Sequence, residues 1–374
     1  MEYKVCTQCV MDTTDPEISF DEKGICNHCQ TYEVRKDSKQ IKPERREEML
    51  KKLVQDIKNK GDGNEYDCII GVSGGVDSTY VAYLTKSLGL RPLAIHFDNG
   101  WNSELGVSNI EKTLKFLGID LYTYVIDWEM FRELQIAFLK ASTPDGEIPT
   151  DHAINGLLWK EASNRNIKYI INGMNFATEA AAVTSWAYGH SDWKYIKGIN
   201  KLFGKNKKLI NYPHFSFFDL FNYTVIKGIR VVSILNYIDF NKTEAMRLLQ
   251  DKLNWIYYGG KHYESVYTRF YQAYYLPEKF NIDKRKCHLS DLINAKQITR
   301  DEALIDLKHK DYKDEMYRDD LAFVLKKLDF TQEEFDAIRK LPVKSYKDYP
   351  NNHDLVMRIK RILNQLRKLN ILPR

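Results

Sequence analysis

No stretch of this 374-residue chain stays apolar for anything near the length of a bilayer span. Its opening residues, Met1-Glu2-Tyr3-Lys4-Val5-Cys6, carry no apolar segment of the signal-peptide kind. A cytoplasmic protein with no membrane span is therefore expected. An excess of one charge is also missing: 56 Lys and Arg against 51 Asp and Glu leave a net charge of +5. That mild balance suits an anionic small substrate and falls short of a dedicated nucleic-acid surface, so no nucleic-acid partner is expected. There is no internal repeat and no low-complexity tract, which excludes solenoids and disordered linkers. Cysteine is sparse but clustered. Of six, four fall within the first 29 residues, while Cys68 and Cys287 stand alone.

Those four form two Cys-x-x-Cys pairs, Cys6/Cys9 and Cys26/Cys29, separated by 16 residues. In a reducing compartment this is ribbon-type zinc spacing rather than a disulfide framework. Four thiolates complete a tetrahedron, so the expected ion is structural Zn²⁺ with no open position. His28 lies between two ligands and is a possible substitute for one.

Four regions follow from the pattern. Residues 1–32 form the ribbon, and 33–62 read as one charged amphipathic connecting helix with Leu50, Leu53, Val54 and Ile57 at helical spacing. Residues 63–213 alternate strands (68–72, 92–97, 121–126, 168–173) with helices, ending in a short helix near Ala180. That alternation predicts an α/β domain with a mostly parallel sheet. Residues 214–374 read as helical throughout, including 231–237, 241–253 and the basic tail helix 354–369. The apolar stripe of that tail (Leu355, Ile359, Ile362, Leu363, Leu366, Leu369), beside Arg358, Lys360, Arg361, Arg367 and Lys368, is expected to pack on the chain's own core, the alternative being a docking surface for a separate subunit.

Ser73-Gly74-Gly75-Val76-Asp77-Ser78 joins a buried strand to a helix. Adjacent glycines let backbone N–H groups converge on an anion, and the following helix adds its positive end. Ser73 and Ser78 can donate to phosphate oxygens, and Asp77 can hold Mg²⁺. No Gly-Lys-Ser/Thr follows, so this is not a Walker A loop. Two later strand ends converge by the same topology: Phe97-Asp98-Asn99-Gly100 and Asn172-Gly173, the latter followed by Glu179 as a second Mg²⁺-side carboxylate. Thr150 or Asp151 reads as a helix cap or, with His152, as a substrate contact. Gly259-Gly260-Lys261 offers Lys261 as a cation for a leaving pyrophosphate, with Arg269 a further candidate. The tyrosines between Tyr257 and Tyr275 read as helix packing. Lys197, Lys201, Lys205, Lys207 and Lys208 form a basic stretch, either a solvated loop or a seat for an anionic substrate.

The Ser73–Ser78 spacing resembles the SGGxDS signature of the ATP-pyrophosphatase (PP-loop) family. The chain as a whole resembles the N-acetyl sugar amidotransferases of surface-polysaccharide and sialic-acid-like sugar biosynthesis. The resemblance is carried by Cys6-Thr7-Gln8-Cys9-Val10-Met11-Asp12-Thr13, the Ser73 loop, Phe97-Asp98-Asn99-Gly100-Trp101-Asn102, Thr150-Asp151-His152 and Gly259-Gly260-Lys261-His262-Tyr263-Glu264-Ser265. It implies a PP-loop (adenine nucleotide alpha hydrolase-like) domain between a zinc ribbon and a helical domain. ATP would bind Ser73, Gly74, Gly75, Asp77, Ser78, Phe97, Asp98 and Gly173, with Asp77, Ser78 and Lys261 catalytic and Mg²⁺ on Asp77 and Glu179. An anionic acetamido sugar would meet Asp151, His152 and Arg269, and a separate glutaminase subunit would supply ammonia. A tRNA-thiolating PP-loop enzyme and a non-enzymatic zinc-ribbon adaptor are the alternatives. The first normally needs cysteines at the ATP site. The second leaves the Ser73 loop without a purpose. An asparagine-synthetase-like enzyme would have a nucleophilic cysteine at position 2, where this chain has Glu2.

Overall fold

The structure, a computed structural model, describes residues 2–205, 208–309 and 312–368. Its centre is a five-stranded, wholly parallel sheet in the order β3-β2-β1-β4-β5. The strands are β1 (Cys68–Gly71), β2 (Pro92–Asp98), β3 (Asp120–Val125), β4 (Tyr169–Asn172) and β5 (Arg230–Ser233). Residues of β1 and β2 alternate between two cores. Ile69, Leu93, Ile95 and Phe97 face one, while Cys68, Ile70 and Ala94 face the other. Burial on both faces is why these strands read as continuous apolar runs.

Helices α5 (Trp128–Ala141), α6 (Ile148–Asn164) and α7 (Trp193–Phe203) contribute to the first core. Helices α2 (Pro43–Gly61), α3 (Val76–Ser87), α4 (Glu104–Leu117) and α9 (Lys242–Leu253) contribute to the second. After β1 the chain builds outward through β2 and β3, then returns to place β4 on the other side of β1. The crevice at the carboxyl ends of β1 and β4 is therefore the topological switch point, where open parallel sheets bind ligands.

Several expectations are corrected. The connecting segment is two helices, α1 (Asn27–Lys39) and α2, because Pro43 at the start of α2 has no N–H to continue α1. The stretch beginning at Val231 is not helical: Arg230–Ser233 extends the sheet as β5 beside β4, and only Ile234–Tyr237 turns, as a 3-10 helix. Its β-branched Val231-Val232 pair suits a strand. No helix forms near Ala180. The Asn175 and Thr178 side chains close a local turn instead, and the Ala181 N–H donates to Asp291. Helix α6 begins at Ile148 with Glu147 at its cap position, so neither Thr150 nor Asp151 caps it.

The remaining helices follow β5, apart from α8 (Phe217–Phe221), which precedes it. They are α10 (Val266–Phe270), α11 (Leu276–Phe280), α12 (Arg285–Asn294), α13 (Arg300–Lys308), α14 (Asp314–Leu328), α15 (Gln332–Arg339) and α16 (His353–Lys368). Tyr267, Tyr271 and Tyr275 are buried and stacked on one another, as packing residues should be. The apolar stripe of α16 does not pack on the core: Leu355, Ile359, Ile362 and Leu363 are exposed. The Leu366 side chain and Leu369 lie outside the described residues. No helix among the described residues is long and apolar enough to cross a membrane.

Candidate active site and metal centre

The Ser73–Ser78 loop spans the end of β1 and the first turn of α3. Gly74 has φ +81°, and a Cβ there would sit 2.4 Å from the Gly106 carbonyl oxygen, so only glycine fits. The Ser73 and Ser78 hydroxyls lie 3.2 Å apart, and the Gly75 N–H donates to Ser73 Oγ. From the far side of the chain, Trp255 Nε1 donates to the Gly74 carbonyl at 3.0 Å and the Val76 N–H donates to the Tyr258 hydroxyl. Tyr258 and Trp255 thus brace the loop, a role hidden in the sequence by the surrounding tyrosines.

Asp77 is half-buried, and its Oδ1 atom is enclosed with no hydrogen-bond partner. Burial pushes its carboxyl above the usual range, which Lys242 opposes without reversing. An enclosed carboxylate oxygen lacking a partner fits a cation, so Mg²⁺ suits this position. Gly173 lies against it: a Cβ on Gly173 would stand 3.0 Å from the Asp77 Cβ. Glu179, in the turn beyond β4, pairs with Lys261 at 3.4 Å.

Lys261 arrives by a specific device. Ser103 N–H donates to the Glu264 carbonyl and Val266 N–H to the Trp101 carbonyl, stitching the 259–265 segment beside the end of β2. The same stitching buries Glu264 next to Gly75, with His262 3.7 Å from its carboxylate. Lys242, at the start of α9, is also within electrostatic reach of the Asp77, Glu179 and Glu264 carboxylates. Lys242 was not singled out from sequence, and His262 and Glu264 entered only as members of the 259–265 motif, without a role. A cation at the first position of a helix, where the dipole disfavours it, was the available signal for Lys242.

At the end of β2, Asp98 Oδ1 accepts from the Gly100 N–H (2.9 Å) and from Asn102 Nδ2 (3.3 Å). The Phe97 ring is in the core, between Tyr124 and Phe131, so only its backbone faces the crevice. Asn99 donates to the Thr150 hydroxyl at 3.1 Å, which fixes the start of α6 beside this strand end. Asp151 is partly exposed there, and His190 Nε2 lies 3.2 Å from both Asp151 and Asp145. Lys284 completes the cluster 3.5 Å from Glu147. Burial alone would lower both cations, but the surrounding carboxylates outweigh it and hold them charged.

Two substrate candidates have other work. His152 is fully buried, stacked 4.5 Å from Phe215, with Nδ1 on the His190 carbonyl and Nε2 facing the Phe215 N–H. Arg269 is held at 2.8 and 2.5 Å by both oxygens of buried Asp320. The basic stretch is helical in its first half and irregular beyond, where Lys205 is exposed and lies 3.8 Å from Glu133 of α5. Lys194, Lys197 and Lys201 are exposed on α7, which packs against α5, and Lys197 lies over the Trp193 ring. Lys207 is outside the described residues.

The Sγ atoms of Cys6, Cys9, Cys26 and Cys29 all lie within 4.8 Å of one another and are buried. Cys9 and Cys26 are 3.6 Å apart, close to the roughly 3.8 Å edge of a tetrahedron with zinc–sulfur bonds of about 2.3 Å. Backbone N–H groups of Gln8, Cys9 and Cys26 point at Cys6 Sγ, as thiolate requires. The residues fit Zn²⁺. His28 is not a ligand; it bonds Asp15 at 2.7 Å. The knuckle is no loose appendage. Arg300 donates to the Cys6 and Cys9 carbonyls, Ser290 accepts from the Val10 N–H, and Lys286 pairs with Asp12 at 2.5 Å.

Residues 264–365 match the family described as LPS biosynthesis protein WbpG-like, C-terminal domain. The chain is also similar to the uncharacterized protein MJ1599 of Methanocaldococcus jannaschii, with 28% identity over 176 residues, 45% of this chain and 58% of that one. It is similar to the glutamine-hydrolysing GMP synthase of Pyrobaculum aerophilum, with 38% identity over 78 residues, 21% of this chain and 15% of that one. The chain thus spans less than two thirds of the length of either curated relative. Among solved structures, NMN synthetase from Francisella tularensis is 16% identical, covering 57% of this chain and 96% of that one, with a TM-score of 0.30.

Proposed function

We propose that this chain, whose C-terminal part is of the WbpG-like family, is an ATP-dependent amidotransferase of surface-polysaccharide sugar biosynthesis. The observation that carries the reading is the Ser73–Ser78 loop at the switch point of the sheet, with the enclosed, unpartnered Oδ1 of Asp77 in the first helical turn. ATP binds with its phosphates on the loop N–H groups and the Ser73 and Ser78 hydroxyls. Asp77 and Glu179 hold Mg²⁺, which when bound neutralises phosphate charge. Lys261 faces the β- and γ-phosphates, and Asp98 and Gly173 border the nucleotide.

An amide oxygen is a weak nucleophile and an amide nitrogen a poor leaving group, so replacing that oxygen needs prior activation. In the proposed reaction the acetamido oxygen of an anionic, nucleotide-linked sugar attacks the α-phosphorus and pyrophosphate leaves. Ammonia then adds to the activated carbon, and AMP departs carrying the oxygen, leaving an acetamidino group. The enzyme contributes positioning and charge neutralisation rather than an acid–base pair. Of the three substrate candidates, Asp151 keeps an accessible carboxylate, beside His190 and Lys284. Ammonia comes from a separate glutaminase, for which the exposed stripe of α16 is the surface offered.

A thiolating reaction is disfavoured by the two remaining cysteines. Cys68 is fully buried in β1, and burial pushes the Cys287 thiol up to about 12. The test uses UDP- and CMP-linked acetamido sugars labelled with ¹⁸O in the acetyl carbonyl, incubated with enzyme, ATP and ammonium. The expected products are pyrophosphate, AMP carrying the label and an acetamidino sugar. ADP and orthophosphate, or unlabelled AMP from a turning-over enzyme, would overturn the reading.

A further inference from the structure

Lys242 poses a physical problem in the ligand-free protein. It is the first residue of α9, behind the cap residue Asn241, whose side chain accepts from the Glu244 N–H at 3.1 Å. A lysine there meets the positive end of its own helix, and it is half-buried as well. The neighbouring cations have partners: Lys261 pairs with Glu179, and His262 lies beside Glu264. Lys242 makes no ion pair with any carboxylate among the described residues, although Asp77, Glu179 and Glu264 all attract it.

Packing fixes where it stands. The Phe240 ring, two residues before Lys242, lies 5.6 Å from the Tyr80 ring, one turn beyond Asp77 on α3. Ala245 and Leu249 share the buried core with Val76 and Val81. The first turns of α3 and α9 therefore lie side by side at the crevice. From the other elements around it, the charged and titratable groups within electrostatic reach of Lys242 are Lys261 and Glu264 in the 259–265 segment, Glu179 in the turn after β4, and His288 on α12.

We propose that Lys242 is a second phosphate-facing cation, which with Lys261 grips the pyrophosphate end of ATP and holds it as the α–β bond breaks. This deepens the ATP-pyrophosphatase reading and rests on it. The bridging oxygen leaves with the β-phosphate, so charge accumulates on pyrophosphate, and that charge is what two ammonium groups and two helix N-termini oppose. A lysine serves here as a mobile point charge, without the bidentate geometry an arginine would impose. The lack of an ion pair at Lys242 and its partial burial together mark a group waiting for an anion rather than one holding the fold.

The experiment measures inhibition by pyrophosphate and by AMP, and the melting-temperature rise on adding pyrophosphate, for the full chain and its Lys242→Met and Lys242→Arg variants. Lys242→Met is expected to weaken pyrophosphate binding about tenfold or more and AMP binding about twofold at most. Its ligand-free melting temperature should be unchanged or higher, and Lys242→Arg should recover most of the pyrophosphate affinity. Equal weakening of both inhibitors, an unaltered response to pyrophosphate, or loss of ligand-free stability in both variants would overturn the assignment. Wild-type protein that forms AMP and pyrophosphate alongside an unaltered Lys242→Met variant would sink this inference alone. Wild-type protein that forms ADP would sink the function and the inference together.

Discussion

Gly173, at the end of β4, lies so close to Asp77 in the first turn of α3 that a Cβ on it would be 3.0 Å from the Asp77 Cβ and 3.2 Å from the Asp77 carbonyl oxygen. The glycine is there for space. Gly173→Ala must push the first turn of α3 away from β4 and take the Asp77 carboxylate with it. Overpacking of this kind costs roughly 1–3 kcal/mol. We expect a lowered melting temperature and a fall in kcat/KM for ATP of about tenfold to a hundredfold, read by initial-rate kinetics and calorimetry. Unchanged kinetics would separate Gly173 from the nucleotide site.

Asp77 itself should show opposite effects on activity and stability. Its enclosed Oδ1 has no partner, and burial holds its carboxyl above the usual range. Asp77→Asn removes the charge at nearly constant shape, so the ligand-free protein should melt at the same temperature or higher. Turnover should fall by roughly 10³ with a raised Mg²⁺ requirement. A variant that loses stability while keeping its Mg²⁺ dependence would show Asp77 to be structural.

The sheet and the Ser73 loop were legible because each rests on a local signal: an apolar run of strand length, then glycines and a helix start. The clustering of the four cysteines was legible from spacing alone. What escaped was set by tertiary packing. The Val231-Val232 pair suits a strand, but nothing local says that it will join this sheet, since its partner β4 lies about sixty residues earlier. His152 and Arg269 look like ligand-binding residues in isolation. Only the fold shows that Phe215 covers one and Asp320 occupies the other. The exposed face of α16 reverses the same argument: amphipathic periodicity identifies a stripe but not what covers it.

One Zn²⁺ per chain is expected by metal analysis of purified protein, bound by Cys6, Cys9, Cys26 and Cys29. Because Arg300 donates to the Cys6 and Cys9 carbonyls, the knuckle and α13 should loosen together. Chelation, or Cys6→Ser with Cys29→Ser, should raise amide exchange in residues 4–30 and in α12 and α13 before the sheet is affected. Arg300→Ala should retain the zinc but raise exchange in the same two places. Zinc retained in the double cysteine variant would refute the ligand set.

His152 gives a pH dependence whose sign is fixed by its surroundings. Burial among the Trp193, Tyr212 and Phe215 rings lowers its pKa from 6.5 to about 4, with the bond to the His190 carbonyl opposing. Between those two values the unfolded chain carries a proton on this ring and the folded chain does not. The unfolded state is then favoured by acid, so this contribution is complete above pH 6.5 and is lost as pH falls towards 4. At the lower end the loss reaches about 3 kcal/mol. Carboxylates also titrate near that limit, so the quantity to read is the difference between wild type and His152→Gln. Denaturant melts from pH 7.5 to 4.5 should show the variant less stable at neutral pH, with the gap closing on acidification. A gap that stays constant across the range would mean that the ring titrates alike in the folded and unfolded chains, as it would if it were accessible to water.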